Sequence, residues 1–140
     1  AIPNLSISHS EDYGAALISN TPCGIDIQYH DPGLERVKER FCTETEERLL
    51  ARQTPELSTL SRLSLLWAGK EALKKMLSPE GMPGFQELKL CSLSAHEHGN
   101  MVLYFAGAKE SDSLLTVAAG FLDNSYSLAL CCKTASNNHQ

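Results

Sequence analysis

Trp67-Ala68-Gly69-Lys70-Glu71-Ala72-Leu73-Lys74-Lys75 decides how the rest of the chain reads. It sits in a proline-free segment, Ser58 to Leu77, that ends at Ser78-Pro79-Glu80-Gly81. At roughly 100° per residue, Leu65, Ala68, Ala72, Leu73 and Met76 share one broad face, and Lys70, Glu71, Lys74 and Lys75 fall on the opposite arc. The segment is therefore expected to be a long amphipathic helix with one acid and three lysines facing the same way. The plain account of that arc is a solvated face with a Glu71–Lys75 pair at i,i+4, worth about 0.2–0.5 kcal/mol.

Upstream, Thr43-Glu44-Thr45-Glu46 starts a helix to Arg52, because Thr43 followed by Glu46 has capping-box spacing. Leu34 to Phe41 also carries helical periodicity. Before these, Leu5 to His9 alternates as a half-buried strand does, Ala15 to Ser19 reads as a second strand, and Ser10 to Gly14 is a turn or helix start. After the turn Asn20 to Gly24, Ile25-Asp26-Ile27 forms a strand that sends the isoleucines one way and Asp26 the other.

Downstream, Phe85 to Leu93, Met101 to Phe105, Leu114 to Leu122 and Tyr126 to Cys132 read as strands. Gly99-Asn100 and Asp123-Asn124 are the hairpin turns. Grouped helices followed by a run of antiparallel strands imply an α+β domain: an antiparallel sheet packed on one long and one or two shorter helices. One domain is expected over 1–135, with a frayed polar tail over 136–140.

The chain has 140 residues, 42% of them hydrophobic, and a net charge of −5. That length supports one sizeable core. The acidic balance argues against nucleic-acid binding, which needs clustered Lys and Arg. No apolar run approaches the ~20 residues of a membrane span, and the opening residues lack signal-peptide character, so a cytoplasmic location is expected. Five cysteines without metal-ligand spacing read as buried reduced thiols. His96-Glu97-His98 reads as a solvated turn and not a metal site, since no further ligands lie nearby.

The chemistry converges on Asp26 and Glu71. Asp26 is an isolated carboxylate on a β-branched strand with no evident structural task. Two carboxylates meeting across a strand and a helix make a partial shell for Mg²⁺, which takes one or two protein carboxylates together with substrate phosphates and water. Neighbouring lysines would neutralise a diphosphate, and Ser8-His9-Ser10 adds small donors and an imidazole able to meet a phosphate oxygen. These are parts for phosphoryl transfer, where positioning and charge stabilisation dominate.

Pro3-Asn4-Leu5-Ser6-Ile7-Ser8-His9-Ser10, Gly24-Ile25-Asp26-Ile27 and Trp67 to Lys75 resemble, in order and spacing, three signature motifs of the 4′-phosphopantetheinyl transferase superfamily. Arg40-Phe41-Cys42-Thr43-Glu44-Thr45-Glu46 is similar to the family's stretch between the second and third motifs. The strands of the last third are compatible with the family but carry no motif. A serine-histidine motif ahead of Gly24-Ile25-Asp26 belongs to the long type with two similar halves, so the chain resembles the second half of such a protein.

The resemblance implies transfer of the phosphopantetheine arm of coenzyme A to a serine of an acyl or peptidyl carrier protein, with Mg²⁺, releasing 3′,5′-ADP. It implies Asp26 and Glu71 as metal ligands, with Gln28 where many long-type members have a further ligating glutamate. It also implies Glu71 as the base, Lys75 as the catalytic contact to the diphosphate, and Ser8, His9 and Lys70 on the coenzyme A side. Gln28 supplies one negative charge fewer, so weaker Mg²⁺ binding is expected. The site would be completed by an N-terminal half or by self-association. The alternative is a non-catalytic module that binds carrier proteins, and Arg36, Lys38 and Arg40 are the basic residues nearest the motifs for such docking.

Overall fold

The computed structural model describes residues 2–81, 83–107 and 114–134. Strands β1 (Asn4–Ser10), β2 (Tyr13–Ser19) and β3 (Cys23–Tyr29) come first, then helices α1 (Gly33–Arg36), α2 (Glu44–Gln53) and α3 (Thr59–Leu77). Strands β4 (Lys89–Ala95), β5 (Met101–Ala106), β6 (Leu115–Leu122) and β7 (Tyr126–Cys132) complete it. β1 and β2 form a hairpin, and the other strands form one antiparallel sheet in the order β3-β7-β6-β5-β4. The architecture is the expected α+β: an antiparallel sheet with one long and two shorter helices.

α3 begins where Ser58 accepts a hydrogen bond from the Ser61 amide at 3.1 Å, and it lies across one face of the sheet. Leu65, Leu66, Ala68, Ala72 and Leu73 pack with Leu103, Phe105, Val117 and Ala129, all fully buried. The approach to β3 is so close that a Cβ on Gly24 would stand 1.9 Å from the Ala72 carbonyl oxygen. The glycine of the Gly24-Ile25-Asp26 motif is thus required by helix-on-strand contact.

α2 starts at the expected capping box. The Thr43 hydroxyl accepts from the Glu46 amide at 3.2 Å, and the Glu46 carboxylate accepts from the Thr43 amide at 2.9 Å. Leu34 to Phe41 is not one helix. Val37 leaves helical geometry at φ −117°, a 3₁₀ turn follows over Lys38–Arg40, and Phe41 turns fully into the core, edge-on to Trp67 at 5.1 Å between ring centres. Nor is Phe85 in a strand. Phe85–Glu87 is a 3₁₀ turn, closed by the Glu87 carboxylate accepting from the Gly84 amide at 2.7 Å, and the Phe85 ring rests on Trp67 at 4.8 Å.

Asp123 and Asn124 have φ of 54° and 57°, as a two-residue type I′ hairpin requires. The β4–β5 connection is wider than Gly99-Asn100. It includes a 3₁₀ turn, Glu97–Gly99, and a bond from the His96 amide to the Asn100 carbonyl at 2.7 Å, leaving His96 and His98 exposed. The expectation of buried thiols holds for Cys23, Cys42 and Cys131, whereas Cys91 and Cys132 are exposed, because strand alternation turns Cys132 away from the face that buries Cys131. The 136–140 tail lies outside the described residues.

The hairpin docks on the free edge of β3 through side chains. The hydroxyls of Ser6, Ser8 and Ser10 accept from the amides of Ile25, Ile27 and Tyr29, each at 3.0 Å. This serine ladder satisfies backbone donors that would otherwise be buried unpaired. At the turn end, Tyr13 donates to Asp123 and meets Tyr126 edge-on at 4.8 Å. β3 is consequently covered on both faces, and Ile25, Asp26 and Ile27 are all buried.

Candidate active site

Asp26 projects from β3 on the side of α3, with 8% of its surface exposed. One carboxylate oxygen, Oδ1, is 3.3 Å from the donating Ser8 hydroxyl and 3.5 Å from the Lys75 ammonium. The other, Oδ2, is buried without a hydrogen-bond partner. Burial pushes the Asp26 carboxyl up to about 7; Lys75 opposes the shift and the negative charge of Glu71 adds to it. An ionised, partly orphaned carboxylate inside a protein is costly unless a cation or donor meets it.

Lys75 also donates to the carbonyls of Ile25 at 2.7 Å and Ile7 at 3.1 Å, which ties α3 to β3 and β1. The Glu71–Lys75 pair expected from helix spacing does not form: Glu71 instead lies 3.8 Å from Lys74, whose ammonium also sits 4.0 Å over the Phe85 ring. Three acceptors on the strands hold Lys75 in place of one partly exposed acid. Glu71 keeps a quarter of its side chain exposed, next to the buried Asp26 whose charge it influences.

Lys70 departs furthest from expectation. It is 1% exposed and donates to the carbonyls of Phe41 at 2.7 Å and Phe85 at 3.2 Å, and pairs with Glu46 at 2.9 Å. Lys70 therefore does not share a solvent face with Glu71 and Lys74, and its ammonium is directed into the core. The helix wheel fails here because α3 is buried on two sides, by the sheet and by the Phe41, α2 and Phe85 segments. Burial pulls the Lys70 ammonium down from its ordinary value, against the pull of Glu46.

Ser8 and His9 also separate. Ser8 is 7% exposed, and its hydroxyl is engaged by the Ile27 amide and by Asp26, so its proton faces the carboxylate. His9 is exposed on the other face of β1, beside Ile7 and Leu5, which are 60% and 59% exposed. The period of two in Leu5-Ser6-Ile7-Ser8-His9-Ser10 already carried this split. Gln28 follows Asp26 along β3 on the same side, and its amide donates to the Tyr29 carbonyl at 2.9 Å.

The described residues contain no cluster of three or more His, Cys, Asp or Glu placed to hold a metal. The Asp26–Glu71 pair nevertheless suits a hard divalent cation that takes its remaining ligands from substrate oxygens and water. The buried partnerless Oδ2 of Asp26 is the atom such a cation would satisfy. Two structural partners escaped the sequence reading. Glu46 was read only as a cap, though it also accepts from the Leu90 amide at 2.8 Å and holds Lys70. Ser6 was read only as a polar strand position.

An antiparallel sheet crossed by one long helix, with a buried strand carboxylate beside a helix lysine and within the electrostatic reach of a helix glutamate, defines an α+β protein. The family model described as the 4′-phosphopantetheinyl transferase superfamily matches residues 22–131, and the chain belongs to that superfamily. No curated protein matches it. The match begins after the β1–β2 hairpin, which supplies Ser8.

Proposed function

We propose that the chain transfers 4′-phosphopantetheine from coenzyme A to a serine hydroxyl of an acyl or peptidyl carrier protein, assisted by Mg²⁺. The observation that carries this reading is Asp26: a buried carboxylate with one partnerless oxygen, within the electrostatic influence of Glu71, in a chain of this superfamily. Asp26 and Glu71 would hold the ion, which when bound orients the diphosphate and stabilises the leaving oxygen. Lys75 favours the ionised form of Asp26 against the effect of burial and offsets diphosphate charge. The partly exposed Glu71 carboxylate accepts the proton of the carrier serine; that oxygen bonds to the β-phosphorus of coenzyme A, and 3′,5′-ADP departs with the bridging oxygen. Ser8 orients Asp26 and makes no phosphate contact in this scheme.

The test is mass spectrometry of an apo acyl carrier protein incubated with the chain, coenzyme A and Mg²⁺, with Glu71→Ala beside it. The expected result is a gain of one phosphopantetheine by the carrier, lost in the variant. Gln28, where a charged ligand would strengthen the site, favours a second reading as a carrier-binding module. Carrier binding with neither mass gain nor coenzyme A binding would favour that reading, whereas coenzyme A binding without mass gain would point to a site that needs its other half.

A further inference from the structure

Cys23 opens β3, Cys132 closes β7, and the register sets them directly opposite each other. The amides of Ile25, Ile27 and Tyr29 turn away from β7 to the serine ladder, so Gly24, Asp26 and Gln28 are the β3 residues bonded to β7. Beyond the pair, the Lys133 amide donates to the Pro22 carbonyl at 2.8 Å. Cys23 and Cys132 are therefore a non-hydrogen-bonded rung between two bonded ones, where facing Cα atoms approach to about 4.5 Å and side chains lie closest. A disulfide spans Cα separations of about 4.4–6.8 Å, so this rung meets the requirement at its short end. Both thiols are free, Cys23 buried and Cys132 exposed, while Cys131 turns to the opposite face and joins the core.

We propose that Cys23 and Cys132 form a site of reversible covalent modification, closing a cross-strand disulfide by exchange with a small-molecule disulfide such as oxidised glutathione. The exposed Cys132 thiolate attacks the reagent, forming a mixed disulfide and releasing one glutathione thiol, which takes up the Cys132 proton. The Cys23 thiolate then attacks the Cys132 sulfur. The intramolecular S–S bond forms, and the second glutathione leaves with the Cys23 proton. Two protein thiols are oxidised and one reagent disulfide is reduced to two thiols. The order follows from access: Cys132 is exposed, whereas Cys23 is buried under the hairpin with its sulfur 3.8 Å from the Leu17 carbonyl and its thiol is pushed up by burial, so Cys23 is the poorer first attacker on an external reagent and is left the intramolecular step. Thiol–disulfide exchange with an added thiol reverses the bridge, which would fasten the strand that bears Asp26 to the last described strand.

The experiment treats the full chain with oxidised glutathione, alkylates the remaining thiols and maps peptides by mass spectrometry. The expected product is two hydrogens lighter, with Cys23 joined to Cys132, and a thiol reductant restores the original mass. Cys91→Ser should still form the bridge, whereas Cys23→Ser should retain a glutathione adduct on Cys132. Amide exchange at Lys133 should slow on oxidation. A wild-type chain that accumulates the Cys132 adduct without closing, that links through Cys91 or between molecules, or that stays unmodified overturns the proposal. None of these outcomes depends on transferase activity.

Discussion

Asp26 combines opposing demands at a single residue. Its carboxyl, pushed up to about 7 first by burial, binds a proton in the folded state over a range where the unfolded chain, with an ordinary carboxylate near 3.9, has released it. Between about pH 4 and pH 7 the native state thus holds more protons, and this group makes stability fall as pH rises, by roughly 1.4 kcal/mol per pH unit. His30, drawn down by burial, acts in the opposite sense. Urea denaturation of metal-free protein across this range should therefore show Asp26→Asn gaining stability relative to the unaltered chain as pH rises. An unchanged difference between the two would mean that Asp26 is ionised at all these pH values.

Elements are joined by charges that a single helix does not reveal. Glu46 caps α2, pairs with Lys70 of α3 and accepts from the Leu90 amide of β4, so one buried carboxylate fixes two helices and a strand. Removing one partner of a buried pair leaves the other charge uncompensated, at about 3–5 kcal/mol. Lys70→Ala and Glu46→Ala should each lose stability of that order in denaturant titrations, while Glu46→Leu combined with Lys70→Met should recover much of it. Equal losses in the single and paired variants would contradict this account. The β1 serines do comparable work without charge, since their hydroxyls replace a missing neighbour strand along β3.

For the molecule as a whole, the proposed ion is a link between β3 and α3. A ligand that binds only the folded state stabilises it by about 2.7 kcal/mol at one hundred times its dissociation constant. Mg²⁺ should accordingly raise the melting temperature at pH 8, and Asp26→Asn should abolish the rise; a rise preserved in that variant would place the ion elsewhere. No helix among the described residues is long and apolar enough to cross a membrane. On the outer face of the hairpin, Leu5, Ile7 and Ile18 remain 59–68% exposed, in contrast to the serine face that docks on β3.

The sequence by itself determined what depends on neighbours along the chain: the alternating strands, the Thr43 capping box, the Asp123-Asn124 turn, and the motifs that set Asp26 on a strand and Glu71 and Lys75 on a helix. Periodicity reports which residues share a face, but not how many faces are covered. Only the tertiary structure decided that α3 is enclosed on two sides, burying Lys70 against Glu46, 24 residues away. The same holds for Lys75, which reaches the Ile25 carbonyl 50 residues away and leaves Glu71 to Lys74. Ser8 turns to Asp26 across 18 residues while His9 faces outward. The partners of Lys70, Lys75 and Ser8 come from packing between distant segments, which competes with and overrides the local pairing that helix and strand spacing would allow.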